Sequence, residues 1–455
     1  LLLGVFKAGQ GQGIDVSLQT PEKIRNLRTR LYEKAKAEPA FRFYLLYDKV
    51  YRDDVLDYAY RLARSNGGAP GVDREKFGDI EAAGLEQWLA SLREELRTET
   101  YKPSPVRRVT IPKPGGGERP LGIPTIRDRV VQTAAKLVLE PIFEADLSDS
   151  AFGYREGRSA GEAVKQVHRA LCDGYTYAVD ADLSKYFDTI PHDQLMKSIA
   201  RRVSDGKMLK LIKAWLKTPV EETDERGKRR MTGGKGSRMG TPQGGVISPL
   251  LANIYMNRFL RVFLERGKDR EFVARLVNYA DDFVILSRGK AEPALAWTRR
   301  VMAAIGLTLN ETKTCIRNAR KEHFDFLGYT FGPERYHKDG HWYLAAKPSK
   351  KSVGRVKEKV RSMLRPGNQN PWPTVAKELN WILRGWSNYF NHGTRYRAYR
   401  AVDNYVNERV RYFLRRRHKV PTRGTRRFDS HTVFGELGIL RLRTVIFGTP
   451  AVSLS

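Results

Sequence analysis

The sequence predicts an α+β protein, and three features of the residue pattern indicate this class. Apolar residues recur with helical spacing over long segments such as 20–65 and 248–264. Shorter apolar stretches at 175–183, 274–278 and 283–286 are typical of strands. Helices and strands do not alternate as regular βαβ units and no internal repeat is evident, so we expect a mixed fold.

The other elements follow from local start and stop signals. A run rich in glycine and proline at 66–71 ends the N-terminal helices. Ser248-Pro249 is a typical helix start, because Ser caps the first turn and Pro suits the first helical position. The remaining predicted elements are a helix at 84–97, a hairpin that begins at 106 and has a glycine-rich turn at 112–119, a buried helix at 129–143, a helix at 191–199 and an exposed hairpin at 221–240.

Charge and composition define the class of partner. The chain has 455 residues, with 82 Lys and Arg against 51 Asp and Glu, and a formal net charge of +31, which predicts a polyanionic partner. A hydrophobic content of 41% is enough to bury a core, which argues against a disordered chain. Its two cysteines, Cys172 and Cys315, exclude a disulfide framework and a Cys-rich zinc module. No apolar run approaches the roughly 18 residues of a membrane span, so we expect no membrane partner.

The positive charge is concentrated in residues 347–427. This segment holds 22 Lys and Arg and four acidic residues, a net charge of +18. Its aromatic residues either stack on nucleic-acid bases or pack a small helical core, and their helical spacing favours the core for any single ring. The intervening arginines predict nucleic-acid binding that is strongly salt dependent. The arginines expected to contact nucleic acid are Arg384, Arg395, Arg397, Arg415, Arg416 and Arg417.

Two separate stretches carry carboxylates at otherwise apolar strands. Asp180 and Asp182 share one strand face, and Asp281 and Asp282 lie between two apolar strands. Buried carboxylates are costly unless a cation compensates them, and oxygen ligands suit magnesium. An isolated Asp-Asp pair is usually a plain turn, but hairpin turns favour glycine, which is absent here. The second acidic strand and the basic segment therefore favour metal-assisted phosphoryl chemistry.

These motifs and their order resemble bacterial group II intron reverse transcriptase–maturases. Tyr279-Ala280-Asp281-Asp282 looks like the YADD motif of reverse transcriptases, and the resemblance extends over about 60–440, with Gly67 to Asp73 ahead of the series and 381–390 after it. The rest of the series, in order, is Ile111-Pro-Lys-Pro, Arg119-Pro-Leu-Gly-Ile-Pro124, Asp128-Arg-Val-Val-Gln132, Ala151-Phe-Gly-Tyr-Arg155, Asp180-Ala-Asp182-Leu-Ser-Lys-Tyr-Phe187-Asp188, Gly240-Thr-Pro-Gln243-Gly-Gly245, Leu309-Asn-Glu-Thr-Lys313-Thr and Phe326-Leu-Gly328.

The resemblance implies a right-hand polymerase fold, with fingers and palm followed by a C-terminal α-helical thumb and maturase domain. We expect an N-terminal extension and the start of the fingers in 1–100, fingers and palm in 101–345, and the basic thumb and maturase region in 346–455. The implied reaction is RNA-directed DNA synthesis with two Mg²⁺ ions. The implied partners are deoxynucleoside triphosphates, a DNA target or primer, and group II intron RNA, which serves as template and as the RNA whose splicing is assisted.

The resemblance also assigns roles to individual residues. It implies catalytic roles for Asp182, Asp281, Asp282 and Lys313, with metal ligands at Asp182, Leu183, Asp281 and Asp282. It implies substrate binding by Lys113, Arg119, Phe187 and Gln243, with Phe187 as a steric gate against ribonucleotides. Phe326, Leu327 and Gly328 would form a hairpin that grips the primer. The alternatives are a neighbouring role for Asp180, core packing for Phe187, a strand-end charge for Lys313 and a plain buried turn at 326–328. His192 is assigned to a helix start rather than to catalysis.

Two other functions stay open at the level of sequence. One is an RNA-binding splicing cofactor with a vestigial polymerase, and the other is a reverse transcriptase of defence or repair that has no intron. No Cys follows Cys315 and the later His residues are scattered, so we expect no His/Cys endonuclease domain. We expect a cytoplasmic, nucleoid-associated ribonucleoprotein in a bacterium, with an organellar location as the alternative. The oligomeric state is unknown.

Overall fold

The computed structural model describes residues 18–112, 118–223, 228–242, 244–336 and 339–445. The helices are α1 Glu22–Ala37, α2 Tyr47–Val50, α3 Asp53–Asn66, α4 Phe77–Arg97, α5 Ile126–Glu144, α6 Ala160–Cys172, α7 Tyr186–Thr189, α8 His192–Ala200, α9 Gly206–Leu216, α10 Ser248–Glu265, α11 Lys268–Glu271, α12 Ala291–Ala304, α13 Lys350–Met363, α14 Trp372–Tyr389 and α15 Tyr396–Arg417. The strands are β1 Val106–Pro112, β2 Glu118–Ile123, β3 Tyr177–Asp182, β4 Pro219–Thr223, β5 Arg229–Gly233, β6 Ala274–Tyr279, β7 Asp282–Ser287, β8 Cys315–Asn318, β9 Phe324–Phe326, β10 Tyr329–Arg335 and β11 Trp342–Pro348.

Helix α5 is the centre of the N-terminal half. Most of its side chains are buried, and helices α1, α2 and α3 pack against it. The span α4 consists of two helical segments that meet at Gly84, where φ is +109° and the backbone is not helical. The predicted helix at 84–97 corresponds to the second segment, so the helix is interrupted at the glycine where the sequence pattern breaks.

A sheet of order β2-β1-β4-β5 follows these helices. Strands β1 and β2 form the predicted antiparallel hairpin, and β4 and β5 form the predicted exposed one. The two hairpins join through a short parallel pairing of β1 with β4. This pairing places residues 106 and 107 beside 220 and 221, and no local sequence signal indicates it.

The central sheet has the order β6-β7-β3-β8, and all of its neighbouring strands are antiparallel. Helix α12 packs against β3 and β7, while α6 packs against β6 and β7. This sheet brings the two predicted carboxylate strands, β3 and β7, side by side. The mixed order of helices and antiparallel strands confirms the predicted α+β class.

The C-terminal part combines a small sheet of order β11-β10-β9 with the helices α13, α14 and α15. Phe390 is buried in the core beside the small sheet, Tyr399 is buried in a second core among the three helices, and Trp386 packs against both cores. Trp381, by contrast, is 63% exposed. The helical spacing of the aromatics thus predicted core packing correctly for some rings but not for all. No helix within the described ranges is both long and apolar enough to cross a membrane.

Candidate active site

The two carboxylate stretches meet at one end of the central sheet. Asp182, the last residue of β3, lies directly opposite Asp282, the first residue of β7. Residues paired in this way in an antiparallel sheet have Cα atoms about 5 Å apart. Tyr279 pairs with Asp282 on the other side, so Ala280 and Asp281 form a two-residue hairpin loop. Three carboxylates are thus brought to a single turn.

This turn differs from its sequence-based interpretation. The absence of glycine argued against a plain hairpin turn, yet the segment is a tight hairpin. Ala280 has a φ of +60°, which a residue with a side chain rarely adopts. The side-chain amide of buried Asn278 donates a hydrogen bond of 2.9 Å to the Ala280 carbonyl and stabilises the turn. Neighbouring structure therefore imposes a backbone conformation that the local sequence does not favour.

Gly153 supports the same turn from outside. The Phe152 N–H donates to the Asn278 carbonyl at 2.9 Å, and the Asn253 side chain donates to the Gly153 carbonyl at 2.8 Å. A Cβ atom at Gly153 would lie 2.5 Å from the Ala280 nitrogen. The backbone at Gly153 therefore fits against the turn only because the side chain is absent.

Asp182 is held by two side chains from the segment before β8. Lys313 Nζ lies 2.9 Å from Asp182 Oδ2, and Asn310 Nδ2 donates to the same oxygen at 3.1 Å. Leu183 and Leu309 form an isolated antiparallel bridge. Its hydrogen bonds run from Ser184 N to Thr308 O and from Asn310 N to Asp182 O, and neither involves the Leu183 carbonyl.

The carboxylates at the turn are buried and repel one another. Burial raises the pKa of Asp282 to about 7, and repulsion by Asp281, Asp182 and Asp180 adds to the increase, whereas Lys313 opposes it. Burial also raises the pKa of Asp281, against the effect of Arg119. The protein's own cations therefore compensate this negative charge incompletely, and a divalent cation would remove the penalty.

The donors fit such a cation chemically, although they are not preassembled. Two carboxylates and a backbone carbonyl at the end of a sheet are the hard oxygen ligands that Mg²⁺ prefers. Within the part of the chain that the structure describes, no group of three or more His, Cys, Asp or Glu side chains is arranged as a ready metal site. The Lys313 ammonium occupies one Asp182 oxygen. A metal ion bound to that oxygen would compete with Lys313.

Asp180 shares a face with Asp182 but is farther from the turn. It pairs with Val284 on one side and Cys315 on the other. Burial raises its pKa to about 6, with Arg317 opposing and Asp182 adding to the increase. The register therefore separates two carboxylates that strand periodicity alone could not distinguish.

Phe187 lies in the short helix α7, directly after the end of β3. Its side chain is 7% exposed and packs edge-on against Tyr154, with ring centroids 6.4 Å apart. Burial, followed by the charge of Asp281, raises the pKa of Tyr154, whereas Arg119 lowers it. Tyr154 thus lies within electrostatic range of Asp281 while it contacts Phe187. The residue pattern assigned no role to Tyr154, although an aromatic residue inside the Ala151–Arg155 motif was an available signal.

The loop after β5 is hydrogen-bonded to the segment that carries Phe187. Thr241 N donates to the Phe187 carbonyl at 2.7 Å, and His192 Nε2 lies 2.7 Å from the Gly240 carbonyl. A Cβ atom at Gly244 would overlap the Gly122 carbonyl oxygen, so this loop also approaches β2 closely. The predicted substrate residues Lys113 and Gln243 lie outside the described residues, and so does the glycine-rich turn at 115–117.

The predicted primer-binding segment is a tight turn between β9 and β10. Phe326 and Leu327 are buried, and both Leu327 and Gly328 have positive φ. The Tyr389 hydroxyl donates to the Leu327 carbonyl at 2.8 Å, and Ser349 N donates to the Gly328 carbonyl at 2.9 Å. The turn therefore anchors α13 and α14 to the sheet. Its contact with a primer stays a prediction.

The predicted nucleic-acid-binding arginines lie in two groups. One group is in α14 and around the start of α15, and the other is at the end of α15. Arg384, Arg397, Arg416 and Arg417 are exposed. Arg395 donates to the Asn391 carbonyl at 2.6 Å. Arg415 and Arg416 flank the Tyr412 ring, and Arg417 donates to the carbonyls of Gln369 and Asn370. Arg417 therefore also holds the loop between α13 and α14.

Two known families match this sequence. "Reverse transcriptase (RNA-dependent DNA polymerase)" matches residues 111–331, and "Group II intron, maturase-specific domain" matches residues 353–429. Both carboxylate strands lie in the first range, and the three C-terminal helices lie largely in the second. Fold and site thus define an RNA-directed DNA polymerase joined to a maturase domain.

Individual relatives agree with this class. The chain is 35% identical over 343 residues to Protein YkfC of Escherichia coli (strain K12), covering 67% of this chain and 87% of that protein. It is 34% identical over 265 residues to the group II intron-encoded protein LtrA of Lactococcus lactis subsp. cremoris, covering 57% of this chain and 40% of LtrA. The chain belongs to the group II intron reverse transcriptase–maturase family. Among solved structures, telomerase from Candida albicans, in complex with a fragment of telomeric RNA, covers 80% of this chain and 70% of its own at 13% identity, with a TM-score of 0.41 that is too low to bear on the fold.

Proposed function

We propose that this chain copies RNA into DNA at the Asp182–Asp281–Asp282 turn with two bound Mg²⁺ ions. We also propose that it binds group II intron RNA, assists splicing, and serves intron mobility by target-primed reverse transcription. One observation carries the catalytic part of the proposal, namely the direct pairing of Asp182 with Asp282 beside the loop that holds Asp281. The family assignment supports the RNA-related part.

The residues at the turn have two proposed roles, which are to bind metal and to supply negative charge. The carboxylates of Asp182 and Asp281, together with the Leu183 carbonyl, would hold Mg²⁺, and Asp282 would add negative charge beside them. When bound, the two ions activate the primer 3′-hydroxyl and stabilise the leaving pyrophosphate. Lys313 pairs with Asp182 at 2.9 Å, and if Mg²⁺ took over that carboxylate the Lys313 ammonium would be available as a proton donor to the leaving pyrophosphate.

The incoming nucleotide would lie between the β1–β2 hairpin and the Phe187 segment. Arg119 lies within electrostatic range of Asp281, which supports a role for Arg119 in holding the triphosphate. We assign the same role to Lys113, and assign Gln243 to the nucleotide pocket. Phe187, packed against Tyr154, would fill the space that a ribose 2′-hydroxyl needs.

The partners follow from charge and family. The net charge of +18 over 347–427 supports binding of an RNA or DNA backbone beside the turn. The proposed nucleic acids are group II intron RNA as template and splicing substrate, and a DNA strand as target and primer. The match covers 40% of LtrA, and this proposal concerns only the part of such relatives that is matched.

Primer extension on an RNA template tests the catalytic proposal. We expect Mg²⁺-dependent DNA product from the native chain, and a loss of about a thousandfold or more when Asp281 and Asp282 are both replaced by Asn, because charge stabilisation at the reacting centre is lost. Asp149→Asn is a matched control, since Asp149 is an exposed carboxylate whose side chain is 96% accessible. Absence of product from folded native protein that still binds intron RNA would overturn the polymerase proposal and favour a splicing cofactor.

A further inference from the structure

A cleft of about 900 Å³ lies between the β10–β11 hairpin and the start of α15. Its lining includes Tyr336, His341, Tyr343, Tyr396, Arg397 and Arg400, and we call it the hairpin cleft. Residues 332–352, which contain most of the hairpin, fall between the two family matches at 111–331 and 353–429. The cleft is therefore built partly from a hairpin that lies mostly outside both family matches.

Aromatic rings form one side of the hairpin cleft. The ring centroid of Tyr336 lies 5.1 Å from that of His341 and 6.4 Å from that of Tyr343. Tyr396 faces them from α15 and is 60% exposed. None of these described rings belongs to the buried core clusters. His341 and Tyr396 are exposed, whereas Tyr336 and Tyr343 are half-buried. Aromatic rings that converge on one open cleft are suited to stacking on a planar ligand.

The charges at the hairpin cleft favour an anionic ligand. Glu334 contacts Lys347 and lies 3.7 Å from Arg397. Burial raises the pKa of Glu334, but the hydrogen bond and charge of Lys347, together with the charges of His323 and Arg397, outweigh burial, so the net effect is a lowered pKa. Arg400 forms no ion pair with a described acidic residue. Because Lys347 already compensates Glu334, Arg397 and Arg400 leave a positive excess that can bind a phosphate.

A pair of hydroxyls lies at the same cleft. The Tyr343 hydroxyl and Thr394 Oγ1 are 3.1 Å apart, and each can act as donor or acceptor. A ribose 2′-hydroxyl is also both donor and acceptor and is the group that distinguishes RNA from DNA. This hydroxyl pair therefore favours a ribonucleotide over a deoxynucleotide.

We propose that the hairpin cleft binds an unpaired nucleotide of single-stranded RNA. The base stacks among Tyr336, Tyr343 and Tyr396, and the adjacent phosphate contacts Arg397 and Arg400. A base inside a duplex has both faces covered, so only an unpaired base can use these rings. This inference rests on the proposed RNA binding and deepens it, because it names a single-stranded segment and the residues that hold it.

Binding of a short unstructured RNA with a central 2-aminopurine tests the proposal, without primer, metal or nucleotides present. We expect Tyr396→Ala to weaken binding about tenfold and to remove the quenching that stacking produces, as is usual for loss of one base–aromatic stack. Tyr396→Phe should keep both, because it retains the ring. Trp342→Ala is the matched control, since Trp342 is 69% exposed on the same hairpin but does not line the cleft.

Other outcomes would overturn the proposal. Equal binding by Tyr396→Ala and the native chain, or equal weakening by Trp342→Ala, would show that the cleft holds no base. Tighter binding of a DNA strand of the same sequence, or of a fully paired RNA duplex, would exclude the proposed ligand. Primer extension on an annealed template, measured separately, distinguishes the two proposals. If the chain extends a primer but Tyr396→Ala does not change RNA binding, only the cleft proposal is wrong. If RNA binding depends on Tyr396 but no extension occurs, only the polymerase proposal is wrong.

Discussion

Asp182 and Asp282 are direct neighbours across strands β3 and β7, although they are distant in sequence. This register also fixes the position of Asp180, which lies opposite Val284 and one strand repeat away from the turn. The geometry therefore makes Asp182 the β3 carboxylate next to Asp281. It also explains why the pKa of Asp282, raised by burial, is raised further by its neighbours.

We expect Asp182→Asn to reduce primer extension by about a thousandfold or more, because it removes a carboxylate at the reacting centre. Asp180→Asn should keep extension within about tenfold of native, since Asp180 is on the same strand but away from the turn. Steady-state extension at saturating nucleotide measures both. Equal loss in the two variants would show that Asp180 is a ligand as well, against the assignment made from the register.

The close approach of Gly153 to the Ala280 turn gives a second prediction. Gly153→Ala would place a methyl group 2.5 Å from the Ala280 nitrogen, so the turn that carries Asp281 must shift. We expect kcat to fall about a hundredfold with a small change in nucleotide KM, because a small displacement of a catalytic group has this effect. Gly161→Ala is the control, since its methyl would meet nothing closer than Ser159 Oγ at 3.7 Å. Native kcat in a folded Gly153→Ala variant would contradict the close fit.

Replacement of Phe187 tests its role as a steric gate. Phe187→Val should lower the preference for deoxynucleotides over ribonucleotides by about tenfold or more, because the ring no longer fills the space of a 2′-hydroxyl. The measurement is the ratio of kcat/KM for the two sugars. Phe259→Val controls for packing, since Phe259 is fully buried in α10. If Phe187→Val lowers the melting temperature but does not change the ratio of kcat/KM for the two sugars, Phe187 serves only in core packing.

Local patterns predicted the individual elements well. The helix predicted to start at Ser248-Pro249 corresponds to α10 at Ser248–Glu265, and the alternating residues at 175–183 correspond to β3 at Tyr177–Asp182. The predicted capping role of Ser248 is wrong, because Ser248 is the first residue of the helix and its hydroxyl donates to the Pro242 carbonyl instead. These elements were predictable because helix-start residues and short apolar runs are local signals. Gly84 is a further local signal, because the helical backbone of α4 is interrupted there.

Long-range pairing could not be predicted from the residues alone. Period two places Asp180 and Asp182 on one face, and only the register against β7 distinguishes them. No local signal indicated that Ala280 would adopt a φ of +60°, because the Gly153 backbone packs against the turn from a distant segment and adds to the hydrogen bond that buried Asn278 donates to the Ala280 carbonyl. The choice of Asp182 before the structure depended on family resemblance rather than on any local pattern.

A pair of histidines joins α6 to the loop after α14 and gives a pH-dependent prediction. His168 Nδ1 lies 3.0 Å from His392 Nε2, and His168 Nε2 lies 3.0 Å from the Leu344 carbonyl. Since a carbonyl only accepts, His168 donates through Nε2, and its Nδ1 then accepts from His392. Burial lowers the pKa of His392, and the charges of His168, Lys165 and Arg395 lower it further.

The sign of the effect follows from this lowered pKa. Below the ordinary pKa of 6.5 the unfolded chain binds more protons at His392 than the folded chain does. The contribution of neutral His392 to the free energy of unfolding is therefore present above that pH and is lost as the pH falls. Protonation of Asp282 and Asp180, whose folded-state pKa values are raised, stabilises the folded chain over the same pH range, so the contribution of His392 is measured as a difference between variants. Between about pH 7 and about pH 5 we expect the denaturant midpoint of the native chain to fall relative to that of His392→Gln, because Gln keeps a donor for His168 without a titrating ring. His418→Gln, which changes an exposed histidine at the end of α15, should keep the native pH dependence. If the denaturant midpoints of His392→Gln and the native chain change equally over this range, the histidine pair does not couple α6 to the C-terminal helices through protonation.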